Sequence, residues 1–114
     1  MSNKKEGVKE IQLFLSKVPS ISTDELQGLI KKRPQIIDVR ETDEYSKEHI
    51  PIAKNIPLHK LANYSGKQEQ EMYVICQSGM RSKQATKLLR KMGYSAINIK
   101  GGMNHWSGPV KGGK

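Results

Sequence analysis

A single strand–turn–helix segment constrains this chain more than anything else in it. Met72-Tyr73-Val74-Ile75-Cys76 is an unbroken apolar run of the kind found in strands buried on both faces. Gln77-Ser78-Gly79 then turns the chain. From Met80 onward, Ala85, Leu88, Leu89 and Met92 recur at the spacing of one helix face, with Lys83, Lys87 and Arg90 largely opposite. Gly93 stands where a helix C′ residue belongs, and Ala96-Ile97-Asn98-Ile99 forms the next strand, stopped by Gly101-Gly102. A buried strand followed by an amphipathic helix and a second buried strand commits the region to an α/β arrangement.

The rest of the chain repeats the alternation. Val8, Ile11, Leu15 and Val18 predict a short amphipathic helix over residues 7–18, ended by Pro19, and Ile21-Ser22 a brief strand. Thr23-Asp24-Glu25-Leu26 reads as an N-cap with acids in the first turn, opening a helix to about Lys32 that Pro34 closes. Gln35-Ile36-Ile37-Asp38-Val39 is a second buried strand, and Glu41 to Lys47 a loose helical turn. His49 to Ile56, broken by Pro51, is expected to be a bent or edge strand. Pro57 opens a short helix through Leu61, and Ser65 to Gln70 is a polar loop. The expected fold is a single α/β domain with a central, mainly parallel sheet flanked by helices. Residues 1–18 are expected to be an N-terminal extension, 19–108 the domain, and 109–114 a flexible basic tail.

Composition narrows the chemistry. At 114 residues there is room for one compact core. No apolar run is long enough to span a bilayer. Glu10, Gln12, Ser16 and Lys17 stand where the apolar stretch of a signal peptide would be, so the expected location is the cytoplasm. One cysteine, Cys76, rules out an internal disulfide and any multi-cysteine metal site, and His49, His59 and His105 lack ligand spacing. No metal is therefore expected.

The net charge of +9 is lopsided: residues 1–71 hold 12 Lys/Arg against 11 Asp/Glu, and residues 72–114 hold 8 Lys/Arg and no acid. Such an excess concentrates anions. Nucleic acid is a poor fit, because there is no interleaved aromatic–basic stripe. A small anionic substrate or a solvated basic face that serves only solubility both fit, and charge alone does not decide between them.

The chemistry is expected in Cys76-Gln77-Ser78-Gly79-Met80-Arg81-Ser82. A thiol at a strand end faces a turn whose N–H groups can converge on an anion, with a helix N-terminus behind them. Gly79 permits the tight curl, and Arg81 adds a charged fork that matches an oxyanion. All three favour thiolate over thiol and raise reactivity. The plainer reading, a buried cysteine acting as a small hydrophobe, leaves such a nest without a packing purpose.

Four features in order resemble the rhodanese-like domains over most of residues 19–108. They are Ile37-Asp38-Val39-Arg40 with Glu44-Tyr45, Glu48-His49-Ile50-Pro51 with Ala53 and Asn55-Ile56-Pro57, the Cys76–Ser82 loop, and Gly101-Gly102 with Trp106. Glu48, Ile52 and Lys54 depart from the second element, away from the loop. The resemblance implies a sulfurtransferase in which Cys76 carries a persulfide, while Gln77, Ser78, Gly79, Met80 and Arg81 cradle the anionic donor and the terminal sulfur. Ser82 is a further candidate for the bound anion or for the helix backbone. The implied donor is a small anion such as thiosulfate or a persulfide. The implied acceptor is a thiol, cyanide or the thiol of a protein. Such persulfide chemistry requires no metal or organic cofactor. Phosphatases and arsenate reductases of this fold usually carry a loop one residue longer and often a His before the Cys, where this chain has Ile75. A persulfide or redox carrier module acting on a protein partner is the second reading.

Asp38 and Arg40 end a neighbouring strand and are candidates to support the site. Their simpler role is structural, with Arg40 pairing an acid such as Glu44 and Asp38 ordering loops. His49 reads as a structural hydrogen-bonder and Trp106 as cover for the core.

Overall fold

A computed structural model describes residues 18–114. The helix expected over residues 7–18 lies outside the described residues, save Val18, which is buried. Five strands form one sheet in the order β1-β5-β4-β2-β3, every neighbour parallel. In chain order they are β1 (Ser20–Ile21), β2 (Gln35–Asp38), β3 (Lys54–Asn55), β4 (Glu71–Ile75) and β5 (Ser95–Ile99). Helices α1 (Thr23–Leu29), α2 (Thr42–Lys47), α3 (Met80–Lys91) and α4 (Gly102–His105) connect or follow them, with 3-10 turns over Ile30–Lys32 and Leu58–Asn63.

The pleat of β4 divides the core in two. Met72, Val74 and Cys76 join Ile37, Val39, Leu61, Ala85, Leu89, Tyr94 and Ala96 on the α3 side. Tyr73 and Ile75 join Leu26, Ile36, Ile50, Ala53, Ile99 and Met103 on the other, where Trp106 packs as cover. Because successive side chains alternate, Cys76 continues the phase of Met72 and Val74 and arrives beneath the first turn of α3. Strand periodicity alone therefore aims the thiol.

Several local expectations change. The N-cap of α1 is Ser22, one residue earlier than Thr23: its hydroxyl accepts from Glu25 N–H, and the Glu25 carboxylate accepts from Ser22 N–H. That reciprocal box places Glu25 at N3, a spacing Thr23 as cap would miss. The segment His49 to Ile56 contributes only Lys54–Asn55 to the sheet edge, since Pro51 lies in a turn closed by Ala53 N–H to Ile50 C=O. Residues 109–114, expected to be flexible, are held at Lys111, which exchanges both backbone bonds with His49 (2.8 and 2.9 Å), and at Gly113, whose N–H donates to Ser46 C=O. The attachment uses main-chain groups only, so no side-chain pattern announces it.

Candidate active site

All strands of a parallel sheet end on one edge, and at this edge β2 delivers Asp38-Val39-Arg40 beside Cys76 at the end of β4. Cys76 is fully buried. Helix α3 has no side-chain N-cap; Gly79 takes that position at φ 104°, and the cysteine sulfur serves instead. Sγ accepts the N–H of Gly79 at 3.1 Å and of Ser82 at 3.2 Å. Those are two of the four N–H groups that open a helix. The other two, on Met80 and Arg81, find no acceptor among the described residues. The sulfur therefore sits at the positive end of a twelve-residue helix, with two donors on it and two more beside it.

Ser82 is buried against the sulfur, its Oγ 3.4 Å from Sγ. Its hydroxyl proton goes to Asn98 Oδ1 at 2.6 Å, with Gly79 O next nearest at 3.1 Å. Asn98 is itself buried on β5 and donates to Ser20 Oγ of β1. This chain from β1 to the sulfur escaped the sequence reading. The signal was present: Asn98 shares its phase with Ala96, so a polar side chain stands on an inward-facing position.

The loop is also held from below. Met103 N–H donates to Cys76 C=O (2.8 Å) and Asn104 N–H to Gln77 C=O (3.0 Å). Gly102, at φ 57°, lets α4 come this close; a methyl there would strike the Cys76 carbonyl. The Gln77 side chain is engaged at both ends, donating to Asn104 Oδ1 (2.6 Å) and accepting from Arg40 Nη1 (3.1 Å).

The arginines pair differently from the expectation. Arg40 is buried and bonds Asp38, with Nη2 to Oδ2 at 2.7 Å and Nε to Oδ1 at 3.0 Å, and also donates to Glu48 C=O. Glu44 belongs to Arg81: Nη1 to Oε1 is 2.6 Å and Nη2 to Oε2 is 2.9 Å. Arg40 cannot serve both carboxylates, and Asp38, two residues away on the same strand end, takes it. Hydrogen bonding to Arg81 is the leading reason that Glu44 is held down to about 2, and the same bond raises Arg81 above its ordinary value. The fork expected to face an anion thus already grips a carboxylate.

Of the predicted loop residues, Cys76, Gly79 and Ser82 converge on the sulfur, Gln77 braces the loop, and Ser78 and Met80 face solvent, Met80 at 75% exposure. His49 is buried, stacks on Tyr45 at 3.6 Å, and donates from Nδ1 to Tyr45 C=O, a structural placement.

Comparison with known proteins places this geometry among relatives. The family model for the rhodanese-like domain matches residues 22–109. The chain is 36% identical over 101 residues to YrkF of Bacillus subtilis (strain 168), whose name suggests a sulfur carrier; the match covers 84% of this chain and 55% of that protein. It therefore spans about half the length of that relative. It is 36% identical over 90 residues to the thiosulfate sulfurtransferase GlpE of Coxiella burnetii (strain RSA 331), covering 75% of this chain and 84% of the other. The human single-domain sulfurtransferase TSTD1 superposes with a TM-score of 0.72 at 33% identity, covering 78% and 95% of the two chains. Among the described residues no helix is long and apolar enough to cross a membrane.

Proposed function

The chain belongs to the rhodanese-like domain family, and from that premise we propose that it is a sulfurtransferase that moves sulfane sulfur through a persulfide on Cys76. The donor is thiosulfate or a persulfide, the acceptor a thiol or cyanide, and the setting the reducing cytoplasm. The observation that carries this reading is the sulfur's position as the cap of α3, with the Gly79 and Ser82 N–H groups on it and those of Met80 and Arg81, without an acceptor among the described residues, beside it.

Such a cap stabilises negative charge on sulfur before and after transfer. The Cys76 thiolate attacks the outer sulfur of thiosulfate; the new S–S bond forms as the old one breaks, and the sulfite dianion leaves with that bond's electron pair. The terminal sulfur of the resulting Cys76–S–S⁻ carries the negative charge into reach of the Met80 and Arg81 N–H groups. Cyanide or an acceptor thiolate then attacks that terminal sulfur, leaves as thiocyanate or a new persulfide, and returns the Cys76 thiolate. No external oxidant or reductant is needed, and the cycle is a double displacement with a covalent intermediate. Burial of Cys76 suits small or narrow donors.

Intact mass before and after thiosulfate tests the reading. The wild-type chain is expected to gain one sulfur (~32 Da), to lose it to cyanide, and to show no gain as Cys76→Ser. A full gain in the Cys76→Ser chain would defeat it. The name of YrkF favours a second reading, carriage of the persulfide to a protein partner. It predicts the same mass gain with slow discharge to every small acceptor.

A further inference from the structure

The two arginines beside the loop are each matched by a carboxylate, Arg40 by Asp38 and Arg81 by Glu44. The two arginines therefore bring no net charge to the loop, and the short-range pull on an anion falls to backbone N–H groups and the end of α3. Glu44 is placed for this by its own element. It is the N3 residue of α2, where it also accepts the Glu41 N–H at 3.0 Å, so its carboxylate is fixed from behind while both oxygens face Arg81. Arg81 stands in the first turn of α3, directly before Ser82, whose N–H reaches the Cys76 sulfur. Each partner is about one-third exposed, so an arriving anion meets the pair itself.

Resting on the sulfurtransferase reading, we propose that Glu44 is a specificity-determining residue: by occupying the Arg81 fork it weakens dianionic ligands such as thiosulfate and favours donors that bring less charge to the loop. A dianion entering beside Arg81 must either share the guanidinium with a carboxylate or displace it. A monoanionic sulfane donor meets half that repulsion. The gate acts through Arg81 and makes Glu44 a positioning residue, with no contact to the reacting sulfur required.

Glu44→Gln removes the charge and keeps the capping geometry, because Gln serves the N3 position as Glu does. The reading that needs no chemistry is protection of Cys76 from a neutral alkylating agent, chloroacetamide, by sulfate, an unreactive dianion. The half-protecting sulfate concentration is expected to fall about tenfold in Glu44→Gln. For donors, KM should fall about tenfold for thiosulfate and about threefold for the monoanion benzenethiosulfonate, with kcat little changed. Glu44→Asp, which keeps a charge on the same helix, should retain the wild-type sulfate constant within about twofold. An unchanged sulfate constant in Glu44→Gln, or an equal shift in Glu44→Asp, would overturn the gate. A sulfate shift as expected in a protein that gains no sulfur from either donor would instead uphold the gate and defeat the sulfurtransferase reading.

Discussion

At the scale of residues, the site is governed by which acid holds which arginine. Asp38 and Arg40 form a buried, multiply bonded unit that braces Gln77, while Glu44 and Arg81 form a partly exposed clamp on the loop itself. The clamp has an acid-side consequence whose sign follows from the direction of the shift. Glu44 is depressed from 4.5 to about 2, so its contribution is complete above the unfolded value and is lost as pH falls through that interval. Partial exposure screens it, and a worth of about 1 kcal/mol is expected. Urea unfolding of wild type and Glu44→Gln should differ by that amount at about pH 6 and by clearly less at about pH 3. A difference that stays constant would mean the pair does not titrate. Because the carboxylate stays ionised far below neutrality, the clamp remains closed across the whole neutral range.

At the scale of elements, the loop is built by two helices meeting the end of β4: α3 through the N–H groups that reach the sulfur, α4 through the N–H groups that reach the Cys76 and Gln77 carbonyls. The second contact requires Gly102, and Gly102→Ala is expected to cost about 2–4 kcal/mol, from left-handed strain plus a backbone clash. Gly28→Ala in α1, where a methyl meets nothing within 4 Å, should instead stabilise by about 0.5–1 kcal/mol. Chemical unfolding of both variants checks the contrast; equal effects would show that the α4 approach does not constrain the loop. The contrast also marks what the sequence can tell. Strands β2, β4 and β5 are legible because each is a buried run with its own pattern, and α3 because one apolar stripe defines it. Strands β1 and β3 have two residues each and exist by pairing with β5 and β2, so nothing within them fixes their bounds. The thiol, its turn and the helix behind it were visible as local chemistry. The Glu44–Arg81 pair spans 37 positions and the Asn98–Ser82 bond 16, and such partners are chosen by the fold.

At the scale of the molecule, the charge is unevenly placed. Residues 72–114 carry 8 Lys/Arg and no acid. With Arg81 neutralised by Glu44, the long-range field must come from cations further out. Exposed Lys83 in the first turn of α3 and exposed Lys100 just past β5 both lie toward the carboxyl edge of the sheet, where Cys76 is. A field of this kind raises the encounter rate of anions and fades with ionic strength, whereas a direct contact persists. Reversing both charges, Lys83→Glu with Lys100→Glu, is expected to slow the second-order reaction of Cys76 with thiosulfate by about tenfold at low salt. The same variant should approach the wild-type rate at about 1 M salt, where screening acts within ~3 Å. Stopped mixing with mass detection of the sulfur adduct measures both limits. Rates that remain apart at high salt would make these lysines contacts of the bound donor. Rates that converge would leave the distant lysines to gather anions of every kind, and the clamped arginine to decide which of them reach the sulfur.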